Sequence, residues 1–223
     1  MFFSFWSAKG GIGCTVTAAC FAQVLAKTTP QGVLIVDCGG DVATVFAANC
    51  DRPGLGEWLH SAGEPEALAR IEQQVAQNLW LIRSGELHAD QVAETQIDVL
   101  CDVLRYESRD VVVDVGCLSC VAGAEPPPFL SRLVEAADRS VLVSNSCYLT
   151  LMRGRALDFD IDAIAFIRER GRALGAIDAQ NILGSEIATV IERDQRIFQC
   201  VDSGLLAARL PRSFAKSLLR LVP

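Results

Sequence analysis

The chain has 223 residues, of which 51% are hydrophobic and 21% charged, so it can bury a sizeable core and is not a disordered protein. Its formal net charge of −7 argues against nucleic-acid binding through a generally basic surface. No apolar run reaches the roughly 18 to 20 residues that a membrane-spanning helix needs.

The first residues, 1–6, are apolar but lack the basic start of a secretory signal, and glycines follow before such a signal is complete. Nine cysteines are an odd number for pairing, and in a reducing compartment cysteines serve as small buried hydrophobic residues. We therefore expect a cytoplasmic protein.

Short apolar runs alternate with helical stretches along the chain. The predicted strands are 2–6, 33–36, 79–82, 111–115, 140–144, 161–167 and 186–190. The predicted helices are 14–27, 64–76, 91–106, 129–137, 149–157, 178–183 and 194–209. This alternation predicts one α/β domain over residues 1–223, with a mostly parallel, twisted sheet of about seven strands and helices on both faces.

A glycine-rich loop follows the first predicted strand and opens the first predicted helix. Gly10, Gly11 and Gly13 let the backbone turn tightly and aim several N–H groups at one point, where the helix adds its positive dipole end. Thr15 would place its hydroxyl for Mg²⁺. The coincidence of strand, glycines, threonine and helix favours a phosphate-binding loop over a glycine-rich turn without a ligand.

The loop resembles the deviant Walker A motif, K-G-G-x-G-K-[T/S], of the ParA/MinD family of P-loop ATPases. The matching residues are Lys9, Gly10, Gly11, Ile12, Gly13, Cys14 and Thr15. The resemblance implies a P-loop NTPase fold in which these residues bind ATP and Mg²⁺. Lys9 falls on the signature lysine, which in that family reaches the partner's phosphates across a nucleotide-bound dimer, so a homodimer is expected.

Cys14 departs from the motif, because it stands where the ordinary P-loop lysine belongs. A neutral thiol supplies no ammonium to neutralise the β and γ phosphates, and stabilising transition-state charge is most of what phosphoryl-transfer enzymes do. Two interpretations stay open: a site that binds nucleotide weakly and hydrolyses it poorly, or a site that has lost its nucleotide.

Two further segments follow the family pattern. Asp37 ends the second predicted strand, and residues 110–116 resemble a Walker B strand that delivers Asp114 to the edge where ligands of open α/β sheets bind. The resemblance makes Thr15, Asp37 and Asp114 the candidate Mg²⁺ residues, with Asp114 acting through water.

The resemblance also places a second, catalytic aspartate at the position of Gly39. The nearest carboxylate is Asp41, two residues later. Lys9 and Asp41 are therefore the candidate catalytic residues, and a plain loop acid is the alternative for Asp41.

Near the base, family members present an asparagine-containing loop, whereas this chain has an arginine-rich run at 167–172. Arg168 is the candidate contact with the base or a phosphate, and the alternatives for the run are a DNA-facing patch and a solvated loop. Cys117 and Cys120 have the spacing of a metal or redox pair, although one such pair alone makes a poor zinc site.

Residues 212–222 predict an amphipathic C-terminal helix with apolar and basic faces. Such a helix either makes a peripheral contact with an anionic membrane or packs on its own domain. Segments 5–11 and 204–212 look most like the TadZ/CpaE branch, which localises Tad (Flp) pilus assembly machinery, so pilus and secretion proteins are implied partners.

Three hypotheses follow. The first is a ParA/MinD-like positioning or regulatory protein with a degenerate ATP site. The second is an active ATP-dependent dimerisation switch of the MinD type at the membrane, and the third is a metal-handling maturation factor.

Overall fold

The computed structural model describes residues 1–61, 64–118 and 125–223. Within these ranges one sheet contains eight strands. In chain order, β1 to β8 are Phe2–Ser7, Val33–Asp37, Gln73–Ala76, Leu79–Ile82, Asp110–Cys117, Arg139–Asn145, Ala163–Arg168 and Ile187–Glu192. The helices α1 to α10 are Cys14–Ala26, Val42–Val45, Leu55–His60, Pro65–Leu68, Glu94–Arg105, Pro128–Glu135, Tyr148–Ala156, Ala176–Leu183, Gln195–Asp202 and Arg212–Leu218.

The strands lie in the order β3-β4-β2-β5-β1-β6-β7-β8. All neighbouring pairs are parallel except β3 and β4, which are antiparallel. This confirms the mostly parallel α/β sheet. Because the central strands β1, β2 and β5 lie side by side, their carboxyl ends form one edge that can carry a site.

Helices cover both faces of the sheet, which is why the central strands are apolar at nearly every position. Along β1, Phe3 and Phe5 pack under α1, α2, α9 and α10, whereas Phe2 and Trp6 pack against the other layer, α3 to α8. Phe21 of α1 contacts both phenylalanines on its side, with ring centroids 5.0 and 5.1 Å apart.

The predicted helix 64–76 is wrong in its second half. The chain forms α4 and a single 3-10 turn, Ala69–Ile71, and then β3, which pairs with β4 across a short turn. Asn78 in that turn has φ 57°, a left-handed conformation that asparagine adopts more easily than most residues. This extra edge strand accounts for eight strands in place of about seven.

The second helix boundary that differs is at the C-terminal end. The predicted helix 194–209 stops at Asp202, and Gly204 with φ 65° turns the chain away. After α10 the chain forms a 3-10 turn, Leu219–Leu221.

The C-terminal helix packs on its own domain. Phe214, Leu218 and Leu221 are buried against the core that contains α1, and the Thr189 hydroxyl of β8 donates a hydrogen bond to the Ser217 carbonyl at 2.8 Å. Of the two arrangements that the sequence left open, the structure shows this one. In the part of the chain that is described, no helix has the length and apolarity to span a membrane.

Candidate functional site

The glycine loop lies at the carboxyl end of β1 and leads directly into α1. Gly11 and Gly13 have φ 76° and 98°, values that only glycine adopts without strain, whereas Gly10 has open space around it. Gly13 is the N-cap of α1, and no side chain caps that helix. The first N–H groups of α1 are thus left for a ligand.

A cavity of about 460 Å³ opens above this loop. It lies between the loop, the segment after β2 and the end of β5. The described residues that line it are Ser7, Gly10, Gly11, Ile12, Gly13, Cys14, Thr15, Val16, Gly39, Asp41, Thr44, Val45, Gly116, Cys117 and Val201. We call this space the cradle. It brings together most of the predicted phosphate-binding residues.

Asp114 lies beneath the cradle and is fully buried. Neither of its carboxylate oxygens accepts a hydrogen bond of ordinary geometry. Burial, and next the charge of Asp37, raise its pKa to about 7, while the nearby Thr15 hydroxyl and Cys14 thiol oppose that rise. A buried carboxylate with two open oxygens is costly by itself and fits a bound cation.

Asp37 faces Asp114 across the paired strands β2 and β5 but has different partners. Its oxygens accept hydrogen bonds from the backbone N–H groups of Gly40 at 2.6 Å and Val42 at 3.1 Å. Burial raises its pKa to about 6, and these N–H groups oppose the rise. Asp37 therefore shapes the segment that carries Asp41, and of the two predicted metal carboxylates Asp114 has the free oxygens.

Cys14 is buried at the first position of α1. Burial raises the pKa of its thiol well above the ordinary value, and the charge of Asp114 raises it further. The thiol is therefore neutral and lies beside a carboxylate. Thr15, the next residue, is partly exposed, lines the cradle and is near the same carboxylate, in agreement with a role at a cation.

The two candidate catalytic residues lie in different positions. Asp41 is exposed and lines the cradle. Lys9 is partly buried, and its Nζ lies 3.5 Å from the Gly10 carbonyl, within its own loop. At Gly39 a Cβ would lie 3.0 Å from Asp114 Oδ2, so an aspartate there would have to displace that carboxylate.

An apolar slot of about 110 Å³ adjoins the cradle and shares the loop and the start of α1 with it. Its other lining residues come from the ends of β7 and β8 and from α9 and α10: Ile167, Glu169, Ile191, Glu192, Arg193, Asp194, Ile197, Phe198 and Phe214. The lining of the slot is mostly apolar, and Glu169, Glu192, Arg193 and Asp194 are its charged side chains. The slot was not predicted from the sequence, because its residues are far apart in the chain.

Arg168 lies beside the slot and not in its wall. Its guanidinium pairs with Glu192 at 3.0 Å, and both side chains are more than half exposed. The arginine that lines the slot is Arg193, which lies 5.1 Å over the Phe198 ring and donates a hydrogen bond to Glu169 at 2.7 Å. The only sequence signal for Arg193 is its place directly after β8.

Cys117 ends β5 and lines the cradle, whereas Cys120 lies outside the described residues. Among the residues that the structure describes, no group of three or more histidine, cysteine, aspartate or glutamate side chains has a metal-binding arrangement. A magnesium ion needs fewer protein ligands, because it keeps several waters and binds phosphate oxygens.

The fold and the glycine loop define a P-loop-type α/β domain. No protein-family model matches the chain, and no curated protein matches it by sequence. Solved structures do match: a ParA family ATPase from Chlorobium tepidum has a TM-score of 0.81 and 21% identity, covering 99% of this chain and 97% of that one.

Two further matches were determined with nucleotide. MinD from Pyrococcus horikoshii, complexed with Mg-ADP, has a TM-score of 0.73 and 20% identity, covering 99% of this chain and 93% of that one. A McdA variant from Cyanothece in complex with ATP has a TM-score of 0.72 and 18% identity, with 99% and 94% covered. The chain thus has the fold of ParA- and MinD-type ATPases over nearly its whole length.

Proposed function

We propose that this chain binds ATP with Mg²⁺ and acts as a ParA/MinD-like positioning or regulatory protein whose ATP site is degenerate. The observation that carries the proposal is that the cradle and the apolar slot adjoin and share residues of the glycine loop and of α1. Backbone N–H groups line one end, apolar side chains line the other, and Asp114 lies beneath with open oxygens. This combination suits a nucleotide and a divalent cation.

Each part of the site has a distinct task. The loop N–H groups and the positive end of α1 hold phosphate oxygens. Thr15 and Asp114 would hold the ion, Asp114 through water, and the backbone bonds to Asp37 hold the segment that carries Asp41 over the cradle. Bound Mg²⁺ would neutralise phosphate charge and orient the phosphates.

Hydrolysis is impaired in this proposal for two reasons. Cys14 supplies no positive charge where charge develops during phosphoryl transfer. Gly39 offers no carboxylate, and Asp41 enters the cradle from a position two residues later. Either change alone removes an interaction made in the transition state, and together they favour binding without efficient turnover.

An active ATP-dependent dimerisation switch is the second candidate. Two observations favour it: Lys9 retains the signature position, and Asp41 does line the cradle. A homodimer that joins two cradles would bring the partner's copy of this lysine to the phosphates. A metal-handling role has no comparable support in the described residues.

The partners that we propose are a second copy of this chain and, from the resemblance of segments 5–11 and 204–212 to the TadZ/CpaE branch, components of a Tad (Flp) pilus machinery. Polar localisation of a fluorescent fusion, and loss of pili on deletion, are the expected results for that branch. A diffuse fusion and intact pili would contradict the branch and leave the nucleotide site untouched.

Titration calorimetry with Mg-ATP on the wild type and on Cys14→Lys tests the core of the proposal, with sedimentation of each sample with and without nucleotide. We expect wild-type binding with little turnover. Rapid turnover and ATP-dependent dimerisation would establish the second candidate. Absence of any binding by the wild type would refute the nucleotide site.

A further inference from the structure

The cradle has an unusual charge balance for a phosphate site. Among the described residues that line it, Asp41 is the only charged side chain. Directly beneath lies a second carboxylate, Asp114, with no hydrogen-bond partner of ordinary geometry. Without a bound cation these two carboxylates repel phosphate, and among the described residues the attraction comes chiefly from the loop N–H groups and the helix end.

The two positions that could carry a positive charge do not supply one inside the cradle. Cys14 is buried at the start of α1, lines the cradle and has no ammonium group. The ammonium of Lys9 lies against the Gly10 carbonyl, and Lys9 is not in the cradle wall. Within the described part of one protomer, Mg²⁺ would then be the main counter-charge for the phosphates of a bound nucleotide.

We infer that Cys14 sets the phosphate preference of this site, so that it takes a nucleoside diphosphate at least as tightly as the corresponding triphosphate. The inference rests on the proposed nucleotide binding. The loop N–H groups and the helix end serve the inner phosphates, whereas the P-loop lysine that is replaced here serves the outer ones. The additional charge of a triphosphate therefore meets carboxylates where a lysine would attract it.

The size of the effect follows from the missing contact. An ammonium close to a phosphate at a partly solvated site contributes about tenfold or more in affinity. A lysine at position 14 should restore that contribution for the triphosphate more than for the diphosphate. The measurable quantity is the ratio of the dissociation constants for Mg-ATP and Mg-ADP.

Calorimetry with both nucleotides tests this on the wild type, Cys14→Lys, Cys14→Ala and Cys50→Lys. Cys50 is exposed and does not line the cradle, so Cys50→Lys adds the same charge elsewhere. We expect a Kd(ATP)/Kd(ADP) ratio of one or more for the wild type, Cys14→Ala and Cys50→Lys. In Cys14→Lys the ratio should fall by about tenfold.

Wild-type binding of ATP more than about threefold tighter than ADP would overturn the inference and leave the proposed nucleotide site standing. So would an equal fall of the ratio in Cys50→Lys, because the effect would then be one of net charge. Binding of neither nucleotide by the wild type refutes both the site and the inference. If lysine at position 14 prevents folding, ratios of one or more in both the wild type and Cys14→Ala support the inference.

Discussion

The buried carboxylate of Asp114 makes the stability of the protein depend on pH. In the folded state its pKa is about 7, against an ordinary value of 3.8, chiefly because of burial. The folded protein therefore binds this proton more tightly than the unfolded chain does. Stability is highest when the group is protonated in both states and is lost progressively as pH rises from about 4 to about 7.

The loss amounts to about 4 kcal/mol at full development, since each pH unit between the two pKa values contributes 1.36 kcal/mol. Asp114→Asn has the same shape, removes the charge and breaks no hydrogen bond of ordinary geometry. As the pH rises from 4 to 8, the stability of the variant relative to that of the wild type should increase by up to about 4 kcal/mol. Burying the amide costs a constant amount that does not change with pH.

Urea unfolding at several pH values, with a chelator present, measures this difference. Asp51→Asn is the matched control, because it makes the same chemical change at an exposed position. Adding Mg²⁺ at pH 8 should stabilise the wild type and leave Asp114→Asn unchanged. A difference between Asp114→Asn and the wild type that does not change with pH would refute the reasoning, and so would equal Mg²⁺ effects on both.

Three more predictions concern packing and backbone. Phe21→Ala should lose about 3–5 kcal/mol in urea unfolding, because the ring is fully buried between two phenylalanines, whereas Phe198→Ala, 41% exposed, should lose far less. Gly13→Ala should lower the free energy of unfolding by about 1–3 kcal/mol, since φ at Gly13 is 98°. The same variant should bind nucleotide more weakly in calorimetry. An unchanged affinity would contradict a role for the loop backbone. Leu218→Ala should lower the free energy of unfolding by about 2–5 kcal/mol, and the exposed Leu219→Ala by under about 1 kcal/mol. Sedimentation with anionic vesicles should leave the wild type in the supernatant. Pelleting of the wild type with the vesicles would contradict a docked C-terminal helix.

Local sequence patterns predict much of the architecture. Each central strand is a short apolar run, and helices such as α5, α6 and α9 have a periodic apolar face, so the α/β class and the parallel sheet could be predicted. The glycine loop could also be predicted, because glycine adopts the left-handed φ found at Gly11 and Gly13 without strain. The sequence alone likewise shows that position 14 has no positive charge, because a cysteine stands where the motif has a lysine.

Edge elements were harder to predict. The residues of β3, Gln73–Ala76, have no strong preference of their own and become a strand because β4 offers an unpaired edge. The end of α9 at Asp202 is a different case, because Gly204 in a left-handed conformation is a local signal that ends a helix. For β3, tertiary context outweighs a weak local propensity.

The candidate site likewise combines features that the sequence predicts with features that depend on the tertiary structure. The sequence by itself determined which residues reach the carboxyl edge of the sheet: the glycine loop follows β1 and leads to Thr15 in the first turn of α1, Asp37 ends β2, and Asp114 lies within β5 opposite Asp37. Only the tertiary structure decided how they are used: backbone N–H groups donate hydrogen bonds to Asp37, the oxygens of Asp114 accept none of ordinary geometry, and Lys9 does not line the cradle. Partners in space, and not neighbours in the chain, determine whether a buried polar group is satisfied or available to a ligand.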